Sequence, residues 1–155
     1  MSIHNKIMDI ASTRDVFTSH PLPLLNKAFV IETLGGDERL IKTLLSQYLI
    51  STPAYEQALR TAIECEDWEA IASAAHSLRN SLLYFGSRYL EEKIIDLECA
   101  ALHVAMIRNS AQPIDERAGV YVSLFSGAIM KLISALNIEI EQWLALIKNG
   151  REIFQ

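Results

Sequence analysis

The sequence predicts an all-α protein, and three observations carry this prediction. Apolar residues recur at helical spacing along most of the chain, and no stretch alternates with period two for long. Gly and Pro, six and four in number, mostly cluster between the periodic segments. Because the connections between these segments are short, neighbouring helices should run antiparallel, which predicts an up-down four-helix bundle with an extra N-terminal lid helix.

Helix-breaking and helix-capping residues divide the first part of the chain into an arm and separate helices. Residues 1–20 form a weakly patterned arm. A helix is predicted over residues 22–34, because Gly35 and Gly36 follow it directly. Asp37 is the expected N-cap of the next helix.

Pro53 leaves two arrangements open. In the first, the helix capped by Asp37 ends near Ile50. Ser51 or Thr52 then caps a new helix that has Pro53 in its first turn, where proline is tolerated. In the second, one long helix continues through Pro53 with a kink.

Three further helices are predicted, over residues 68–85, 87–108 and 114–148. Asp67 is the expected N-cap of the first of them, Gly86 ends it, and Ser87 begins the second. The segment 109–113 contains Asn, Ser and Pro and forms the turn before the last helix.

The last predicted helix carries an apolar stripe that should face the core. The stripe consists of Ala118, Val122, Phe125, Ile129, Leu132, Leu136, Trp143 and Ile147. Val120, Leu124 and Ile133 add apolar area off the stripe, so the helix is either buried on two sides or contributes to a homodimer. The apolar run is long enough to span a membrane, but Lys131 and several Gly and Ser residues interrupt it, which favours a buried bundle helix.

Composition limits the domain organisation and the partners. The 155 residues suit one domain, and we expect an arm over 1–20, a bundle domain over 21–148 and a tail over 149–155. A net charge of −5 argues against nucleic acid as a partner. The two cysteines, Cys65 and Cys99, rule out a disulfide framework and should be buried or half-buried thiols. The N-terminal residues contain no apolar signal-peptide core, so a cytoplasmic location is expected.

The helix predicted over residues 68–85 carries the chemistry. Its buried face should consist of Ile71, Ala75, Leu78, Leu82 and Phe85. On a helical projection the other four fall within about 40° of Ile71, whereas His76 falls about 140° away from Ile71. His76 should therefore face solvent, next to the small residues Ala72 and Ser73.

An exposed histidine in this setting suits phosphoryl transfer. A neutral imidazole nitrogen is a good nucleophile near pH 7, and phosphoryl transfer asks mainly for positioning. No acidic residue occurs between Glu69 and Glu91, whereas Arg79 and Arg88 lie in that window. We therefore expect a locally neutral-to-positive surface around His76. Geometry alone leaves a second interpretation, in which His76 is an ordinary surface histidine without a functional role.

A short motif around this histidine resembles that of the histidine-containing phosphotransfer (HPt) domain. The family motif reads Ala-His-x-Leu-Lys-Gly, with a Gly ten residues after the histidine. The matching residues are Ala75-His76-Ser77-Leu78-Arg79-Asn80 and Gly86. Further similarity is seen downstream in Leu90, Leu97, Glu98 and Ala101, and upstream in Leu44, Tyr48, Pro53, Leu59, Ala62, Asp67 and Trp68. The resemblance covers roughly residues 22–146 and agrees with the predicted bundle.

The resemblance implies roles for individual residues. His76 would be the phosphorylated histidine, Arg79 a phosphate-facing cation where the family usually has Lys, and Gly86 a structural glycine. The docking surface for a partner would include Ala72, Ser73, Asn80 and Leu83, together with residues of the helix between Asp37 and Ile50. Asn80 stands where the family usually has Gly, and its larger side chain would either hydrogen-bond to the ring or phosphate or hinder docking.

The resemblance also implies a function. An HPt protein is a carrier in a multistep phosphorelay of two-component signal transduction. It accepts a phosphoryl group from the aspartate of one receiver domain, on a response regulator or hybrid sensor kinase, and passes it to another. It is not a kinase or ATPase, it holds no cofactor, and the Mg²⁺ belongs to the receiver. The absence of a nucleotide-binding motif from this sequence fits that expectation.

Three other function classes make different demands on the sequence. A helical adaptor that binds a receiver or kinase domain without carrying phosphate remains the alternative. A di-iron bundle site needs Glu-x-x-His pairs, but the residues three before His76, His103 and His20 are Ser, Ala and Phe, so no metal is expected. An enzyme acting on a small molecule would need an acid/base pair or a nucleophile triad, and none is visible in the sequence.

Overall fold

The computed structural model describes residues 23–110 and 116–151, and every regular element in these two segments is helical. The elements are α1 Lys27–Thr33, α2 Glu38–Glu64, α3 Trp68–Leu82, a 3₁₀ helix Leu83–Phe85, α4 Arg88–Asn109 and α5 Glu116–Lys148. The prediction of an all-α fold is therefore confirmed. The predicted arm over 1–20 lies outside the described residues, as does most of the turn predicted over 109–113.

Helix α1 is shorter than predicted, because the residues before it are used in other contacts. It begins at Lys27 rather than at residue 22, with Asn26 as its N-cap. The Asn26 side chain accepts a hydrogen bond from the Phe29 amide, and the Asn26 amide donates to the Phe85 carbonyl at 3.0 Å. The amides of Leu24 and Leu25 donate to the Glu139 carboxylate of α5.

Helix α2 runs without interruption through Pro53, so the prediction of two separate helices is wrong and the alternative of one long helix is correct. A proline inside a helix removes one backbone hydrogen bond. In the turn before Pro53, the Ser51 and Thr52 hydroxyls donate to the carbonyls of Gln47 and Tyr48 instead of capping a new helix. The buried stripe of α2 continues on both sides of the proline, which holds the two halves on one core.

The end of α3 is a tight turn centred on Gly86. Asp67 caps the start of α3 as predicted, with its side chain accepting from the Ala70 amide. The α-helix ends at Leu82 and the 3₁₀ helix follows, so the helix predicted over residues 68–85 changes its hydrogen bonding in the last turn. Gly86 has a φ of 62°, a left-handed conformation that favours glycine. Ser87 precedes α4, although its side chain makes no capping hydrogen bond.

The four long helices share one core. Helices α2 and α4 each pack against both α3 and α5, while α1 packs against the 3₁₀ helix. On α5, the predicted stripe is buried except for Leu132, which is half-buried against the core. Of the three residues predicted to lie off the stripe, Ile133 is fully buried and belongs to the same core, whereas Val120 and Leu124 are exposed.

By length and apolar composition alone, α5 could also cross a membrane. The core helix of a soluble protein passes the same test, so this property is weak evidence of a membrane span. Much of the apolar surface of α5 belongs to the core of the bundle, including Val122, Ile129 and Leu136.

Candidate functional site

His76 lies in the middle of α3 and faces solvent, as the helical spacing predicted. Its side chain is 49% exposed. Ile71, Ala75, Leu78 and Leu82 form the opposite, buried face of the helix. The imidazole is therefore accessible to another protein without any rearrangement of the core.

Glu98 of α4 is the direct partner of the imidazole. Its Oε1 lies 3.0 Å from Nδ1 of His76. A carboxylate only accepts hydrogen bonds, so this contact places a proton on Nδ1. In the neutral ring, the lone pair is then on Nε2. In this arrangement Nδ1 is held by Glu98, and Nε2 keeps its lone pair.

Arg79 completes a cluster of three side chains, here called the His76 cluster, that consists of His76, Arg79 and Glu98. Its Nη2 lies 3.4 Å from Nδ1 of His76. Because Nδ1 donates to Glu98, Arg79 acts in this arrangement as a neighbouring positive charge rather than as a donor to the ring. Its place one turn after His76 on the same helix puts the guanidinium beside the imidazole.

The surface near the His76 cluster is less positive than expected, because α4 brings acids to it. Glu98 contacts the ring directly. Glu91 is also close to Arg79: burial raises the pKa of its carboxyl, and the positive charges of Arg88 and Arg79 oppose that rise. The sequence window between Glu69 and Glu91 contains no acid, but a window along one helix does not include its neighbour in space.

The residues predicted to surround His76 divide into two groups. Ser73, Asn80 and Leu83 are exposed, so they can contact a partner. The exposed placement of Ala72 was wrong: it is only 4% exposed and belongs to the hydrophobic core. Gly86 lies in the turn after α3, where its conformation is structural.

Glu98 is the member of the His76 cluster that the sequence prediction left out of the site. It was recognised only as part of the motif of the following helix. Its 22-residue separation from His76 gives no local sign of contact. The contact could have been predicted only by pairing α3 and α4 in the correct register.

The site is an open surface rather than a pocket. A cavity of about 660 Å³ lies beyond the end of α3, lined by Leu25, Gly86, Ser87, Trp143 and other residues, and His76 is not among them. Within residues 23–110 and 116–151, no group of three or more His, Cys, Asp or Glu side chains is placed to hold a metal ion.

Comparison with known proteins gives a family. A family model described as the Hpt domain matches residues 43–149, a segment that includes most of α2 and all of α3, α4 and α5. No curated protein and no solved structure matches the chain. The matched segment covers more than half of the 155 residues and contains the whole His76 cluster, and the chain therefore belongs to the Hpt domain family.

Proposed function

We propose that this protein is a phosphorelay carrier in two-component signal transduction, with His76 as the residue that carries the phosphoryl group. Membership of the Hpt family implies a phosphotransfer role in such systems and interaction with receiver domains. The observation that carries the assignment to His76 is its Nδ1 contact with Glu98, which leaves Nε2 on an exposed side chain.

The proposed step is a direct exchange between two proteins. Nε2 of His76 attacks the phosphorus of an aspartyl phosphate on a receiver domain. The N–P bond forms as the acyl phosphate P–O bond breaks, and the aspartate of the receiver leaves as a carboxylate. Donation to the second receiver is the reverse of this step. No proton has to leave the ring, because Nδ1 keeps its proton throughout.

Glu98 and Arg79 have complementary roles in this step. The phosphorylated imidazole is positively charged while Nδ1 is protonated, and the Glu98 carboxylate stabilises that charge through the hydrogen bond already present. Arg79 is the cation near enough to turn towards the phosphoryl oxygens. Both are positioning residues for the ring or the phosphate, since Nε2 alone forms the new bond.

The remaining assignments extend this proposal. Ser73, Asn80 and Leu83 contribute to the docking surface, and Ala72 is left out because it is buried. The chain works as a carrier without kinase or ATPase activity, in the cytoplasm, and needs no cofactor of its own. The Mg²⁺ that neutralises the phosphoryl oxygens is assigned to the receiver. Residues 21–148 form one up-down bundle domain, with α1 as its lid.

Chemical labelling tests the assignment. The purified protein is treated with phosphoramidate, and the added phosphoryl group is followed by intact mass and by its lability in acid and stability in alkali. We expect label on the wild type and none on His76→Gln. His103→Gln is the matched control, because His103 is a half-buried histidine on α4 outside the His76 cluster. Absence of label from the folded wild type would favour a non-transferring adaptor that binds a receiver or kinase domain.

A further inference from the structure

A cavity lies where the start of α1, the turn at Gly86, the start of α4 and the last turns of α5 meet. Its volume is about 660 Å³, which falls within the range of pockets that hold small molecules. Gly86 follows His76 by ten residues, a separation of about 15 Å along the axis of α3, and His76 does not line the cavity. The cavity is therefore separate from the His76 cluster.

Within residues 23–110 and 116–151, Ser87 has a buried hydroxyl that makes no hydrogen bond. Ser87 is the N-cap of α4, lines the cavity and is only 3% exposed. A serine at an N-cap normally accepts a hydrogen bond from an amide of the first helical turn, but the Ser87 side chain makes no such bond. A buried hydroxyl without a partner is costly, so a hydroxyl of this kind at a cavity wall points to a group that it binds.

The cavity is lined by more positive than negative charge. Lys27 and Arg88 are its cations, and Glu139 is its acid. The Glu139 carboxylate already accepts hydrogen bonds from the amides of Leu24 and Leu25, at 3.0 and 3.4 Å. Neither cation forms a salt bridge in the part of the chain that the structure describes. The start of α4 adds the positive end of the dipole of a 22-residue helix, so the cavity favours an anion.

Apolar and aromatic side chains form much of the remaining wall. The ring of Trp143 is buried, and the Lys27 ammonium lies 5.7 Å from its centroid. Tyr89 and Leu146 are half-buried and line the same cavity. A ligand that fills this volume therefore needs an apolar body as well as a charged head.

We propose that this cavity binds a small organic anion that has a carboxylate or phosphate head and an apolar body. The head lies at the start of α4, where the Ser87 hydroxyl donates to it and Arg88 and Lys27 supply positive charge. The body lies against Tyr89 and Leu146. No covalent bond forms or breaks, and the ligand binds whether or not His76 carries a phosphoryl group.

Nuclear magnetic resonance of the full ¹⁵N-labelled chain tests the site, with phenyl phosphate as the probe. We expect saturable shifts of the amide signals of Ser87 and Arg88 and of the indole N–H signal of Trp143. Trp68 is the internal control, because it lies at the start of α3 and outside this cavity. Phenylacetate then tests a carboxylate head, and benzyl alcohol tests a neutral one. We expect at least one of the two anions to bind at least about tenfold more tightly than benzyl alcohol.

Matched variants at the two ends of α4 test the role of charge. Arg88→Gln removes a cation of the cavity, whereas Arg108→Gln removes an exposed arginine about 30 Å away on the same helix. We expect Arg88→Gln to weaken the binding of phenyl phosphate at least about fivefold and Arg108→Gln to bind it as the wild type does. Equal affinities of the two variants would overturn the proposed head position.

Ser87→Ala separates a binding role from a structural role. The free energy of unfolding of the unliganded protein should stay the same or rise, because no hydrogen bond of the fold is lost. The affinity for phenyl phosphate should fall at least about threefold. A loss of stability with unchanged affinity would make Ser87 structural and overturn its role in binding.

The remaining outcomes concern the cavity as a whole. The absence of saturable shifts at Ser87 and Trp143 would show a cavity that holds only water, and equally tight binding of benzyl alcohol would show one without preference for an anion. Shifts centred on His76 and Arg79 instead would place the anion at the His76 cluster. Each of these results overturns the proposal. Labelling of His76 by phosphoramidate is independent of them, so the proposed function stands or falls separately.

Discussion

The middle and the end of α3 differ in the environment of their side chains, which is exposed and polar in the middle and buried at the end. In the middle, the His76 cluster is made of partly exposed polar groups joined across two helices, with Nδ1 of His76 3.0 Å from Glu98. At the end, the turn at Gly86 is closed by contact with α1, and Phe85 is completely buried. Substitutions in the first region should change phosphate chemistry and leave the fold, whereas substitutions in the second should change stability and leave the chemistry.

Gly86→Ala should have the largest effect on stability. A Cβ at this position would lie 2.8 Å from Cβ of Phe29 and 2.9 Å from Cβ of Asn26, and the φ of 62° is unfavourable for alanine. We expect a loss of about 3 kcal/mol in the free energy of unfolding, measured by urea denaturation. The folded fraction should still accept label at His76.

Gly36→Ala is the matched control for that loss. Gly36 has a similar φ of 73°, but nothing lies within 4 Å of an added Cβ. The free energy of unfolding should fall by only about 1 kcal/mol, which is the cost of placing alanine in a left-handed conformation. Equal losses in the two variants would show that packing against α1 contributes nothing at Gly86.

Tyr48 packs against the end of α3, and its phenol should make the stability of the protein depend on pH in the alkaline range. Its ring meets Phe85 edge-on at 4.6 Å, and burial raises the pKa of its phenol from 10.0 to about 12. A raised pKa means that the folded state keeps the phenol proton up to a higher pH than the unfolded state does. The stabilisation is complete below pH 10 and is lost as the pH rises towards 12.

The wild type should therefore lose about 1.4 kcal/mol between about pH 9 and pH 11 through this group. Tyr48→Phe should lack that part of the loss, because phenylalanine has no proton to release. Urea denaturation of both proteins at the two pH values measures the difference. Parallel pH dependence of the wild type and the variant would refute the assignment to Tyr48.

Glu98→Gln is the corresponding test in the middle of α3. An amide can still accept from Nδ1, but it carries no charge to stabilise the phosphorylated ring. We expect phosphoramidate labelling of His76 to slow about tenfold, with the free energy of unfolding changed by less than about 1 kcal/mol. Glu92→Gln, an exposed acid on the same helix, should label at the wild-type rate. A large loss of stability in Glu98→Gln would make this contact structural.

The two regions also differ in how far they could be predicted from the sequence. The exposure of His76 follows from helical periodicity on one segment, and the structure agrees. Glu98 was missed and Ala72 was misplaced for one reason: both depend on where α4 packs against α3, and periodicity within one helix does not contain that register.

Competing local signals explain the other errors. Pro53 read by itself indicates a helix start, but apolar residues on both sides of it belong to one core, and tertiary packing decides in favour of a single helix. The start of α1 depends on Asn26, whose amide pairs with Phe85 from a distant part of the chain. Both cysteines were expected to be at least half-buried but are exposed, Cys65 at the C-terminal end of α2 and Cys99 on the outer face of α4.

Substitution of Asn80 should have the smallest effect on phosphoryl transfer among the substitutions near His76. Asn80 is exposed and follows His76 by four residues, on the flank of α3 that carries Ser73 and Ser77. Truncation of an exposed polar side chain at the rim of an interface usually changes affinity little. Asn80→Ala removes the side chain while keeping a good helix former. We expect the rate of transfer from the receiver to change by less than about fivefold. A gain of tenfold or more would show instead that the Asn80 side chain hinders docking of the receiver.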